Sequence, residues 1–161
     1  MSRAVLSMGS NLGDRRAHLG QAVAALVKQV DVLAVSSIYQ TPPWGPVPQE
    51  AYYNLTLIAA SAELDAYGWL SVCRELEQSA GRVRDIRWGP RTLDADVVVV
   101  DDIESPDPDL TLPHPRAFAR AFVLLPWAEI EPTAVLPGYG PISELLAGLD
   151  VSGIKMVAHV D

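Results

Sequence analysis

The run Asp94-Ala95-Asp96-Val97-Val98-Val99-Val100 constrains this chain more than any other stretch, because it joins two carboxylates to four consecutive β-branched residues. The valines read as a buried strand. Side chains alternate along a strand, so Asp94 and Asp96 share a face, roughly 7 Å apart over two residues of rise. Two like charges at that spacing repel unless a cation lies between them. Magnesium suits the pattern, since it takes one or two carboxylates and completes its octahedron with water and phosphate oxygens. Taken alone, an Asp-x-Asp pair is served as well by turn amides at a strand edge.

The residues just before the pair narrow the choice. Arg82, Arg84, Arg87 and Arg91 place four of the chain's 12 basic residues in a single short loop, in a protein of formal net charge −8. Such clustering does little for solubility and suits a site that holds concentrated negative charge, which guanidinium forks grip when it is phosphate.

The 161 residues suit one domain, 1–161, and a hydrophobic content of 49% with 20% charged residues is ordinary for a globular protein. No apolar run reaches the length of a membrane span, and the N-terminus lacks the basic region and long apolar stretch of a secretory signal. A cytoplasmic protein is expected. The single Cys73 rules out an internal disulfide and any multi-cysteine metal site, and its helical context makes it a packing residue. An acidic chain of pI near 4.7 lacks the basic face that duplex nucleic acid requires.

From the N-terminus, Ala4 to Met8 reads as a strand ending in the turn formers Gly9-Ser10-Asn11-Leu12-Gly13-Asp14. Asp14 caps a helix whose Leu19, Val23, Leu26, Val27 and Val30 recur near helical spacing. The glycine turn lacks the Lys-Ser/Thr ending of a P-loop and the third glycine of a dinucleotide fingerprint, so it is either a plain turn or a border of the site. Val32 to Gln40 reads as one strand, stopped by Thr41-Pro42-Pro43-Trp44-Gly45-Pro46-Val47-Pro48. Prolines pre-set this loop's shape, so it serves as a wall for a flat ligand or as a surface connection with Trp44 folded onto the core.

Ala51 to Ala60 is a third strand, with Tyr52 and Asn54 on one face and Tyr53 and Leu55 on the other. A ring beside an amide can stack on a heterocycle and exchange donor and acceptor bonds with it. Both are also ordinary solvent-side strand residues, and the spacing does not choose. Asp65 to Gln78 reads as a helix with the core stripe Trp69, Val72, Cys73 and Leu76, closed by Gly81. Its Arg74, Glu75 and Glu77 form a solvated face or lean towards the arginine loop.

Asp101 to Leu110 reads as an acidic, proline-bearing solvent loop. His114 then stands between two prolines, with Arg116 and Arg120 one helical turn apart, as candidates to bind an anion. Val123 to Ile130 is an apolar helical piece kinked or stopped at Pro126. Pro137 to Pro141 is a turn, Ile142 to Leu149 a short helix, and Val151 to Val160 a last strand or tail.

Gly9-Ser10-Asn11-Leu12-Gly13-Asp14, Tyr39-x-Thr41-x-Pro43-x-Gly45, Tyr53-Asn54, Gly81-Arg82-x-Arg84, Arg87-Trp88-Gly89-Pro90-Arg91-Thr92-Leu93-Asp94-x-Asp96 and Pro113-His114-Pro115-Arg116 together resemble the 6-hydroxymethyl-7,8-dihydropterin pyrophosphokinases of folate biosynthesis. The resemblance runs from Gly9 to about Pro132, and its most specific block is Arg87 to Asp96. It implies a ferredoxin-like α/β (α+β) fold, an antiparallel-dominated sheet with helices packed on it. It also implies transfer of the β,γ-pyrophosphoryl group of ATP to the pterin hydroxymethyl oxygen, releasing AMP.

By the same resemblance Asp94 and Asp96 hold two Mg2+ ions, and Arg82 and Arg91 grip the transferring phosphates. Thr41, Pro42, Trp44, Tyr52, Asn54, Trp88 and Phe122 surround the pterin, with Tyr52 and Phe122 on either side of its ring. Leu70, Arg74, Glu77, Arg84, Arg87, Val97, Thr111, His114 and Arg120 fall on the nucleotide side. Two positions depart from the family pattern: Trp44 stands where members vary, and Arg74 is charged where a polar residue serves. The loops Gly9–Gly13, Pro43–Gln49 and Gly81–Gly89 are expected to close over the triphosphate, because hydrolysis competes with transfer. A monomer acting on ATP and the pterin, with no nucleic acid or membrane partner, is expected. The alternative is a catalytically silent pterin- or nucleotide-binding relative.

Overall fold

The computed structural model describes residues 1–42, 48–81 and 92–160. In chain order these form β1 (Ser2–Ser10), α1 (Arg15–Val27), β2 (Asp31–Val35), β3 (Ile38–Thr41), β4 (Tyr52–Ser61), α2 (Ala66–Ser79) and β5 (Asp94–Val100). A 3-10 turn (Ala117–Ala119), α3 (Ala121–Ile130), β6 (Val135–Leu136), β7 (Gly140–Pro141), α4 (Ile142–Ala147) and β8 (Lys155–Ala158) follow. Every pairing is antiparallel, in the order β5-β1-β4-β3-β8, with β2 sharing one edge of β4 beside β3. This is the ferredoxin-like β-α-β-β-α-β plan, with the second strand split in two and a C-terminal extension added.

Local chemistry sets the element ends. Asp14 and Asp65 cap α1 and α2 through side-chain bonds from the amides of Ala17, at 3.1 Å, and Gly68, at 2.8 Å. Gly81, at φ +70°, ends α2 in the left-handed conformation that glycine adopts without strain.

Each face of the sheet has its own cover. Leu6 and Met8 of β1, Leu55 and Leu57 of β4, and Ala95 and Val97 of β5 pack beneath α1 and α2, whose Leu19, Leu26, Trp69, Val72, Cys73 and Leu76 complete the larger core. The opposite face is apolar at one end only. There Val5, Ile58, Val98 and Val99 meet Val123, Leu124 and Trp127 of α3. Towards the other end the same face carries Ser7 and Gly9, Asn54 and Thr56, Asp94 and Asp96, and the start of α3 reaches its margin, where the Thr56 hydroxyl donates to the Val123 carbonyl at 3.1 Å. Alternation along three neighbouring strands therefore builds a polar floor beside an apolar one.

Three features differ from the sequence reading. The strand expected over Val32 to Gln40 is two strands broken at Ser36-Ser37. At the break the Ser36 amide keeps one backbone bond to the Thr56 carbonyl at 2.9 Å, while the Ser36 hydroxyl accepts from the Thr56 amide at 2.9 Å and the Ser37 amide donates to Glu129 of α3 at 3.0 Å, so side chains take over part of the ladder. The helix expected to kink or stop at Pro126 does not stop there and runs on to Ile130. One missing amide bond is outweighed by burial of Val123, Leu124 and Trp127 on both sides of the proline. The loop expected to face solvent, Asp101 to Leu110, buries Leu110 in the larger core.

Glu129 also fastens α3 to the sheet. It accepts from the Tyr39 hydroxyl at 2.6 Å and the Ser37 hydroxyl at 2.9 Å, and the latter also meets His159 Nδ1 at 3.0 Å. Burial and the adjacent Glu129 push the Tyr39 phenol well above its ordinary pKa, which keeps it a donor.

Candidate active site

The polar floor opens into a cleft of about 450 Å³, within the range of small-molecule sites. Its base is set by strand register. Gly9 pairs with Asp94 on one side and Asn54 on the other, Ser7 pairs with Asp96 and Thr56, and Thr41 pairs with Tyr52. Period-two alternation thus aims Asp94, Asp96, Asn54, Tyr52 and Thr41 at one space, and all five line it. Tyr53, one residue out of phase, turns to the opposite face and packs against the larger core, its ring 4.0 Å from the Arg15 guanidinium carbon.

Gly9 is required by close approach rather than by backbone conformation. A Cβ there would lie 2.6 Å from Asn54 Oδ1 and 3.5 Å from Tyr52 Cδ1. The hydrogen atom keeps the floor low between the carboxylates and the amide. Asn54, almost fully buried, donates from Nδ2 to Thr41 Oγ1 at 2.7 Å, which sets its Oδ1 as the acceptor turned towards Gly9.

One wall is α2. Leu70, Arg74 and Glu77 recur at intervals of four and three, so one helix stripe faces the edge of β5. Glu77 Oε2 accepts from the Ala95 amide at 3.1 Å, tying the helix to the backbone between the two aspartates. The facing wall comes from the segment after β5, where Pro108, Asp109, Leu110, Thr111, His114, Pro115, Arg120 and Phe122 line the space.

His114 is held by its amide bond to the Val98 carbonyl at 2.8 Å, and its Nδ1 accepts from the Arg116 amide at 3.2 Å. Burial first, then the charges of Arg120 and Arg116, bring its pKa down to about 4. The ring is therefore neutral at pH 7, with Nδ1 as acceptor and the proton on Nε2. Arg120 lies 5.4 Å from the centre of the Phe122 ring, a cation–π distance that joins the charged and aromatic parts of this wall.

The residues singled out from sequence fall into three groups. Asp94, Asp96, Thr41, Tyr52, Asn54, Phe122, Leu70, Arg74, Glu77, Val97, Thr111, His114 and Arg120 line the one cleft. Pro42 does not, and its ring sits beside Gly153 instead. Trp44, Arg82, Arg84, Arg87, Trp88 and Arg91 lie outside the described residues. Arg116, expected one helical turn from Arg120, is separated from it by the 3-10 turn and is not part of the lining.

Sequence reasoning missed Ser7 and Ala95 as lining residues, together with Pro108 to Leu110 and Pro115. Ser7 was recoverable, because it stands two residues before Gly9 in the same alternation. Pro108 to Leu110 carried no local signal.

Glu77, Asp94, Asp96 and Asp109 against Arg74 and Arg120 leave the described lining richer in acidic than in basic side chains. The donor set fits a hard divalent ion: two carboxylates on one strand face, beside a position kept free of a Cβ.

Residues 5–132 match the family model for 7,8-dihydro-6-hydroxymethylpterin-pyrophosphokinase. The chain is 45% identical over 159 residues to the 2-amino-4-hydroxy-6-hydroxymethyldihydropteridine pyrophosphokinase of Methylorubrum extorquens, covering 98% of this chain and 99% of that one. It is 43% identical to the enzyme of the same name from Mycobacterium tuberculosis, covering 93% of this chain and 85% of that one. Among solved structures, a Plasmodium falciparum HPPK-DHPS superposes with a TM-score of 0.69 at 14% identity, over 91% of this chain and 45% of that one. A second HPPK-DHPS structure, in complex with substrates, gives 0.72 at 13% identity over 91% of this chain and 43% of that one. This chain therefore spans less than half of those chains, and at that identity the likeness concerns the fold. The chain belongs to the 7,8-dihydro-6-hydroxymethylpterin-pyrophosphokinase family.

Proposed function

We propose that the cleft is where this pyrophosphokinase brings ATP and 6-hydroxymethyl-7,8-dihydropterin together. The hydroxymethyl oxygen forms a bond to the β-phosphorus, the bond from that phosphorus to the α,β-bridging oxygen breaks, and AMP leaves with the bridging oxygen. The hydroxyl proton is lost in the same reaction. The observation that carries this reading is that one cleft holds a paired-carboxylate floor, an amide beside aromatic rings, and two facing walls that between them carry two guanidiniums and a neutral imidazole.

In this reading Tyr52 and Phe122 receive the flat faces of the pterin, and Asn54, oriented by Thr41, meets its polar edge. Trp44 and Trp88 belong to the same end by family resemblance. Leu70, Val97 and Thr111 border the nucleotide, and Arg74, Arg84, Arg87 and Arg120 supply positive charge there. The neutral His114 donates from Nε2 to a phosphate or ribose oxygen without a charge to release afterwards. Glu77 acts through the backbone, keeping the strand segment between Asp94 and Asp96 in register. Arg82 and Arg91 grip the moving phosphates, where fixed positive charge is worth most in a space closed to water.

Asp94 and Asp96 would hold two Mg2+ ions. Bound there, the ions neutralise phosphate charge and order the triphosphate. On this account the protein works as a monomer, with 1–161 as one catalytic unit. We place it in the cytoplasm, where ATP is plentiful.

Product analysis tests the reading. The protein with ATP, Mg2+ and the pterin should give AMP and pterin diphosphate in equal amounts. ADP with pterin monophosphate, or ADP with inorganic phosphate, would contradict it.

A further inference from the structure

Tyr67 stands one turn before Leu70 on the stripe of α2 that continues through Arg74 and Glu77, beyond the outer end of the cleft wall. Its hydroxyl donates to Asp107 Oδ2. Asp107 in turn organises the facing wall. Its Oδ1 accepts from the Asp109 amide at 2.9 Å, and its carbonyl accepts from the Leu110 amide at 3.0 Å and the Thr111 hydroxyl at 2.9 Å. Two backbone bonds between Ser105 and Leu112, at 2.8 and 3.0 Å, close the base of this loop. Residues 105–112 are thus one internally bonded unit, and Pro108 to Thr111 within it line the cleft.

The unit is fastened on two sides. Leu110 and Leu112, buried in the larger core, hold its inner side. The Tyr67–Asp107 bond holds its outer side to α2 across the width of the nucleotide half. Neither residue lines the cleft, and Tyr67 is half-exposed, so the bond adds nothing to the core.

We propose that Tyr67 and Asp107 are a positioning pair that sets the spacing between α2 and the 105–112 loop, and through it affinity for the nucleotide rather than for the pterin. The inference rests on the reading that this end of the cleft takes ATP. The chemistry is conformational: with the bond made, the two walls are held at one spacing, and without it part of the population opens. Apparent affinity falls in proportion to the fraction that stays competent. Because the bond is exposed and screened, it shifts the closed-to-open ratio by about fivefold at most, so its loss should take the competent fraction from about two-thirds to under about a third and raise the ATP KM about two- to threefold.

The test compares the parent with Tyr67→Phe, Asp107→Asn and the double variant. Three quantities are read: the KM for each substrate, kcat at saturating ATP, and the Kd of α,β-methylene-ATP by titration calorimetry. Tyr67→Phe should raise the ATP KM and the analogue Kd by about two- to threefold, with pterin KM and kcat unchanged from the parent. The double variant should match Tyr67→Phe, because once the phenol hydroxyl is gone the side chain at 107 has no bond across the walls left to lose. Unchanged nucleotide binding in a folded Tyr67→Phe protein, equal losses for both substrates, or additive effects would each overturn the proposal. Calorimetry does not depend on turnover. A parent that bound the analogue yet made no AMP would count against the proposed activity, while the variants would still decide the role of the pair.

Discussion

Replacing Gly9 by Ala separates the needs of the site from those of the fold. The position has no positive φ, so alanine meets no backbone strain, and a less flexible unfolded chain favours the variant by about 0.4–1 kcal/mol. The added Cβ would sit 2.6 Å from Asn54 Oδ1, so the amide must turn away. Turning breaks the 2.7 Å bond from Asn54 Nδ2 to Thr41 Oγ1, a cost of about 0.5–1.5 kcal/mol. The two terms nearly cancel, and stability measured by urea unfolding should change by less than about 1 kcal/mol. Binding has no such compensation. Losing two hydrogen bonds from the displaced amide to the heterocycle costs about 1–3 kcal/mol, or about 5- to 150-fold in pterin KM. Coupled AMP release at varied pterin, with ATP saturating, reads this directly. A folded Gly9→Ala protein with the parent's pterin KM would refute the assignment of Asn54 and the close-packed floor together.

Further predictions follow from other parts of the structure. His114 carries a folded-state pKa of about 4 against an unfolded value near 6.5, so the unfolded chain binds more protons between those values. Stability should be fully expressed above about pH 6.5 and decline as the pH falls towards 4. Allowing for partial exposure, the loss is about 2 kcal/mol, and His114→Gln should flatten that part of a pH–stability curve. Glu129→Ala leaves the buried Ser37 amide without its acceptor and should cost about 2–3 kcal/mol in urea unfolding with a smaller effect on ATP KM. Burial pushes the Cys73 thiol far up, so its labelling by a thiol reagent at neutral pH should proceed only as fast as the protein opens.

The helices and their caps were plain in the sequence because the information is local: Asp14, Asp65 and Gly81 act on the residues next to them. Alternation likewise separated Tyr52 and Asn54 from Tyr53, and put Asp94 with Asp96. What local pattern could not supply was register. That Gly9 lies between Asp94 and Asn54 depends on β1 pairing with strands about 45 and 85 residues away. The break at Ser36-Ser37 depends on Glu129, 92 residues later. The acidic loop looked solvated because its carboxylates are polar, yet Leu110 drives its tip into the core and Asp107 spends its bonds on the loop's own amides. The arginine block was the strongest sequence signal for phosphate and lies outside the described residues, so its weight still comes from the sequence.

The most direct test of the account is AMP release by the parent protein, Asp94→Asn and Asp96→Asn, each with ATP, Mg2+ and the pterin and each checked for folding. The amides keep the shape of the floor and remove its charge. The account predicts AMP and pterin diphosphate from the parent, with turnover reduced by at least about a thousandfold in both variants. Near-parental turnover in either folded variant would contradict the role given to the paired carboxylates.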